Sequence, residues 1–129
     1  MHRLERKDYG MIRALVAIGA SACAACASPA ITLSATVSQE RSLELRLRNV
    51  SAQAIGYNLC ASALERRSGA AWQRVASNRI CTMELRSLAP GEEARYVIPL
   101  AGLAPGGYRA RARIDGFPPE VATEPVRIP

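Results

Sequence analysis

The chain has 129 residues, a formal net charge of +6, 49% hydrophobic but only 5% aromatic residues, and four cysteines. That length holds one domain around one core, and a domain near 100 residues buries only about two-thirds of the surface its unfolded chain exposes, so a covalent crosslink would weigh heavily in its stability. The charge does not mark a nucleic-acid binder: residues 1–27 hold Arg3, Arg6, Lys7 and Arg13 against Glu5 and Asp8, which leaves 13 Arg against 9 acidic residues, or +4, on residues 28–129, an ordinary value for a protein surface.

Residues 1–13 are polar and net positive, and Ala14–Ala27 (ALVAIGASACAACA) is uncharged and small or apolar. This is the profile of a signal peptide, and the apolar stretch is shorter than the ~20 residues a membrane-spanning helix needs. Translation from Met11 would give a more compact leader with the same profile. Two processing routes stay open. Ala20, Ser21 and Ala22 before Cys23 resemble a lipobox, with Ala20 where leucine is usual, and Cys23 would then be the lipidated N-terminus. Alternatively Ala25-Cys26-Ala27 is a small-x-small site, and cleavage before Ser28 leaves a soluble exported protein. The expected division is a leader over 1–27 and one domain over 28–129.

From residue 31 the pattern has period two, which predicts an all-β domain. Ile31, Leu33, Ala35 and Val37 alternate with Thr32, Ser34 and Thr36. Leu43, Leu45 and Leu47 alternate with Glu44, Arg46 and Arg48, and Asn49 and Ser51 then supply a turn. Ile55, Tyr57 and Leu59 continue toward Cys60, and Leu64 opens a segment that breaks at Ser68 and Gly69. Shorter strands are expected over Trp72–Val75 and Ile80–Leu85. Two LAPG sequences, Leu88–Gly91 and Leu103–Gly106, predict tight corners, since proline presets the first central turn position and glycine accepts the positive φ that follows in a type II turn. Between them Ala94, Tyr96 and Ile98 form one face of a strand. After them Tyr108, Ala110, Ala112 and Ile114 form another, and a last strand is expected near Val121–Ile128. About seven antiparallel strands with frequent turns predict an immunoglobulin-like β-sandwich, a small barrel being the alternative.

Cys60 and Cys81 are the only cysteines after Cys26. An even pair in an exported domain suggests a disulfide, two separately buried thiols being the other possibility. Leu103, Pro105, Gly106 and Tyr108 resemble the tyrosine corner of Ig-like and fibronectin type III domains, in which the hydroxyl bonds back to the preceding corner. The order YNLC (57–60), a glycine and Trp72, Cys81, LAPGE (88–92) and LAPGGYR (103–109) is similar to bacterial Ig-like domains of exported or lipid-anchored proteins, over roughly residues 31–129. The resemblance implies the sandwich, a Cys60–Cys81 bond, an envelope location and no catalytic residues. Because Trp72 lies inside the 60–81 loop, the bond should be a clip at the sandwich edge and not a pin through the core centre.

The single histidine is His2, so residues 28–129 contain no Ser-His, Cys-His or histidine metal arrangement. Glu92 and Glu93, adjacent after a turn, read as solvated. No cofactor, metal or nucleic acid is expected, and neither is an enzyme. Arg109, Arg111 and Arg113 fall on one face of a strand and make a candidate basic row for anionic lipid headgroups, lipopolysaccharide or an acidic partner, or simply a solvated face that discourages edge pairing. The functional expectation is a non-catalytic binding or structural module in the envelope, with an unidentified protein or envelope partner and membrane attachment through the N-terminus if Cys23 is lipidated; a small exported protease inhibitor is the alternative.

Overall fold

The structure is a computed structural model that describes residues 30–116 and 118–129. Among these residues ten strands follow one another: β1 (Ile31–Val37), β2 (Ser42–Asn49), β3 (Ile55–Tyr57), β4 (Ala63–Ser68), β5 (Ala71–Arg74), β6 (Arg86–Leu88), β7 (Glu93–Pro99), β8 (Gly106–Asp115), β9 (Glu120–Ala122) and β10 (Val126–Ile128), with a 3-10 turn at Leu59–Ala61 between β3 and β4. Residues 1–27, expected as a leader, lie outside the described residues, and Cys23 with them.

The two most regular alternations, in β1 and β2, pair antiparallel over their whole length, and β7 pairs with the far side of β2, giving a three-stranded sheet β1-β2-β7. The register places Leu33 opposite Leu47 and Leu45 opposite Tyr96, so the apolar residues of all three strands share one face. Leu43, Leu45 and Leu47 have no exposed surface.

The second sheet contains seven strands in fewer courses. β3 pairs with Ile114 and Asp115 of β8 and β4 with Tyr108–Arg111, so these two lie end to end along one flank of β8. On the other flank β9 pairs with Arg111–Arg113 and β10 with Gly106–Tyr108, again end to end. Outside the first flank β6 pairs with β3 and β5 with β4. The seven segments thus make four courses, β5/β6, β3/β4, β8 and β9/β10, and with the three of the first sheet the total is the expected seven. Every pairing is antiparallel, and the architecture is an Ig-like sandwich.

The core lies between the sheets, where Tyr108, Ala110, Ala112 and Ile114 of β8 face the leucines of β2. The Tyr108 ring is 1% exposed, and its hydroxyl donates to the Ala104 carbonyl at 2.6 Å, the backward bond that the corner motif implied. Asn49, buried at the end of β2, donates from Nδ2 to the carbonyls of Gln53 (2.8 Å) and Leu88 (3.0 Å), while its Oδ1 accepts from the Ser51 amide (3.0 Å) and hydroxyl (2.6 Å). Both amide hydrogens and both carbonyl lone pairs are used, which is what makes full burial of a polar side chain tolerable.

Four expectations need correction. Leu59 and Cys60 stand in the 3-10 turn and not in a strand. Ile80–Leu85 forms no strand; side chains hold it in place of a ladder, and pairing resumes only at Arg86. The last strand is two, because Pro125 has no amide hydrogen to give and Thr123 bridges the gap: its amide donates to the Ala110 carbonyl at 2.9 Å and its Oγ1 accepts the Ala110 amide at 3.0 Å. The first LAPG is the tight corner foreseen, with Gly91 at φ 82 and the Glu92 amide bonded to the Ala89 carbonyl at 3.0 Å. The second is not. There the corner is Leu100–Leu103, closed by the Leu103 amide on the Leu100 carbonyl at 3.1 Å with Gly102 at φ 82, and Ala104-Pro105-Gly106 leads directly into β8.

Candidate functional site

At one edge of the second sheet two neighbouring courses are interrupted at the same level. The β3/β4 course is broken by the 3-10 turn, and the β5/β6 course by the excursion 75–85. The Cys60–Cys81 disulfide, with its Cα atoms 5.7 Å apart, joins these two interruptions. Neighbouring polar side chains reinforce it. Arg79 donates to the carbonyls of Ser62 (2.7 Å) and Cys60 (3.4 Å), covering the last carbonyls of the 3-10 turn, and Asn58 Nδ2 donates to the Thr82 carbonyl at 2.7 Å. The Val75 amide still bonds the Leu64 carbonyl at 2.8 Å, so the excursion leaves the sheet cleanly from the end of β5.

Among the described residues, the most exposed large apolar side chains stand on this segment, within and just after these ties. Ile80 is 98% and Met83 95% exposed, and Leu85 is 58% exposed. Single exposed apolar residues are common, but three within six positions on a covalently anchored segment form a patch that burial on another surface would stabilise. Beside the segment lies a cavity of about 200 Å³ whose walls include Tyr57, Glu84, Arg86, Arg95 and Tyr96. The exposed apolar side chains therefore border a mixed recess in which two tyrosines stand with two arginines and Glu84.

The outer face of the second sheet is the other feature. Arg109, Arg111 and Arg113 do share it, but their side chains differ in circumstance. Arg109 Nε donates to Glu65 Oε1 at 2.7 Å, and its guanidinium lies 4.4 Å from the centre of the Trp72 ring, with Arg67 at 5.8 Å from the same ring. Arg111 forms a two-point contact with Glu120 at 2.9 and 2.8 Å and approaches Glu65 at 3.8 Å. Hydrogen bonding to Glu120, and then its charge, push the Arg111 pKa up from its ordinary value. Arg113 is exposed and has no ion pair among the described residues.

No family model and no curated protein matches the chain. Among solved structures it is similar to the archaellum periplasmic stator protein FlaG from Sulfolobus acidocaldarius, with 20% sequence identity and a TM-score of 0.49, over 74% of this chain and 99% of that one.

Of the residues singled out from the sequence, Cys60 and Cys81 are brought together at the sheet edge, and Trp72 projects from the outer face onto the arginines. Cys23 lies outside the described residues. Glu65 and Glu120, the partners of the arginine row, carry no local sequence signal, because each reaches the row through strand pairing. Ile80–Leu85, expected as a strand, is instead an irregular segment with an exposed apolar patch. Its apolar positions 80, 83 and 85 do not keep period two, and that irregularity beside a cysteine was the available signal.

Proposed function

We propose that this chain is an exported, non-catalytic binding module of the bacterial Ig-like type, which contacts a protein partner through the disulfide-anchored segment Ile80–Leu85. The observation that carries this reading is the exposure of Ile80, Met83 and Leu85 on a segment tied by Cys81, Arg79 and Asn58. Prior ordering lowers the entropic cost of binding, and each large apolar side chain buried on a partner stabilises the complex by roughly 1.5–3 kcal/mol before such costs. The disulfide supports export, because such bonds persist in oxidising compartments. In this reading Cys23 is lipidated and holds the module at the envelope, the other route being cleavage before Ser28; mass spectrometry of the mature N-terminus separates an acylated Cys23 from an unmodified Ser28.

The binding claim is tested by replacing Met83 with a photo-crosslinking residue in the full chain, expressed in its host. One discrete adduct, lost when Ile80 and Leu85 are both changed to serine, supports it. No adduct, or one indifferent to those changes, contradicts it.

One observation favours the second reading, a protease inhibitor. The Thr82 carbonyl just before Met83 is fixed by Asn58, and Cys81 precedes it in the disulfide, so the segment is pre-organised as a slowly cleaved, substrate-like loop would be. Stoichiometric inhibition of a serine protease that accepts apolar side chains, with the Met83–Glu84 bond intact, would support this reading; prompt cleavage there would exclude it.

A further inference from the structure

Strand register assigns every side chain of the second sheet to a face. Cross-strand partners share a face, so Arg109 and Arg111 of β8 fall with Glu65 of β4, Arg74 with Glu65, Arg67 with Trp72, Arg113 with Glu120 and Arg127 with Gly107. The outer face of this sheet therefore carries six arginines, 67, 74, 109, 111, 113 and 127, against Glu65, Asp115 and Glu120, a difference of +3. The outer face of the three-stranded sheet carries Arg46, Arg48 and Arg95 against Glu44 and Glu93, a difference of +1. Six of the 13 arginines after residue 27 are thus gathered on one face.

On that face the central arginines are held in ion pairs, and those toward its edges are not. Glu65 and Glu120 pair Arg109 and Arg111 and hold them along the sheet. Arg74 on the β5 edge, Arg127 on the β10 edge and Arg113 toward the other end of β8 are exposed and have no ion pair among the described residues. The sheet order β5-β4-β8-β10 separates Arg74 from Arg127 by three strand spacings, roughly 14 Å, and six residues along β8 separate the levels of Arg127 and Arg113 by roughly 20 Å. A small anion cannot touch three cations so far apart; an extended anionic surface can.

We propose that the outer face of the second sheet docks on the anionic headgroups of a phospholipid membrane, with Arg74, Arg113 and Arg127 as its contacts. This surface shares no residue with the Ile80–Leu85 segment. A cation beside an anionic leaflet strengthens partitioning about fivefold, so removal of three weakens it about 100-fold at low salt. The attraction is screened as ionic strength rises.

The test compares two variants of the full chain with the same net charge, R74Q/R113Q/R127Q and R46Q/R48Q/R95Q, in co-sedimentation with phosphatidylcholine vesicles containing about one-third phosphatidylglycerol. Both variants keep the same N-terminal region, so a difference between them reads the sheet face. The expected result is a loss of about 100-fold in the first variant, little change in the second, and no difference between them on pure phosphatidylcholine. Equal losses in the two variants, or none in the first, overturn the proposal. So does tighter, equally variant-sensitive retention by a linear polyanion such as heparin, which would assign the face to an extended anionic polymer.

Discussion

The Tyr96 hydroxyl on β7 donates to the Cys60 sulfur at 3.3 Å, so the three-stranded sheet touches the disulfide of the sheet it packs against. The bond is therefore a clip at the sandwich edge, joining two interrupted strands and contacted across the core by a third. Closing a loop over a sequence separation of 21 restricts the unfolded chain by about 3 kcal/mol in the chain-entropy model. The C60S/C81S variant should lose about that much stability in denaturant titration, and limited proteolysis should cut first within residues 75–85. An unchanged midpoint would mean that the clip bears no part of the stability.

Asn49 joins three pieces of chain that meet at the end of β2. Besides its four side-chain bonds, its amide donates to the Glu92 carbonyl at 3.1 Å and its carbonyl accepts the Gly91 amide at 2.6 Å. Asn49→Ala removes the donor to the buried Leu88 carbonyl and one of the two donors to the exposed Gln53 carbonyl, whose other donor is the Ser51 hydroxyl, and should cost about 3 kcal/mol. Asn49→Asp should cost at least as much at neutral pH, because a carboxylate would face those two carbonyls. Burial there raises the folded-state pKa of the introduced carboxyl, so the folded state binds its proton more tightly than the unfolded one. The deficit of this variant against wild type should accordingly shrink as pH falls, and equilibrium unfolding at pH 4 and pH 7 measures it.

Gly91 and Gly102 both sit at φ 82 with no heavy atom within 4 Å of where a Cβ would stand. Alanine at either position should therefore cost only the left-handed conformation, about 1 kcal/mol, with no steric addition. Gly106 differs in having a neighbour: a Cβ there would stand at ordinary contact distance, 3.5 Å, from Arg66 Nε, whose guanidinium donates to the Pro105 carbonyl at 3.2 Å. Equal thermal shifts for G91A and G102A, both within a few degrees of wild type, are expected.

The β-sandwich was legible in the sequence wherever a strand is buried on one face only. Period two in Ile31–Val37 and Leu43–Leu47 marked β1 and β2, and Tyr108–Ile114 marked β8. It was illegible where side chains do the work of a ladder. Arg79 and Asn58 hold the 75–85 excursion, and Thr123 carries pairing past Pro125, none of which leaves a periodic trace. The second LAPG misled because the same four letters served as an approach to a strand once Gly102 had already made the turn. The arginine row was legible as spacing, but its pairing with Glu65 and Glu120 depended on a register that no local pattern encodes.

The central claim, that Ile80, Met83 and Leu85 are presented to a partner and take no part in the fold, is tested most directly by the unfolding free energy of the I80S/M83S/L85S variant. Side chains this exposed contribute little to the isolated domain, so the variant should unfold within about 0.5 kcal/mol of wild type. A loss above about 2 kcal/mol, the scale of removing buried apolar side chains, would show that the three residues belong to the core and contradict the account.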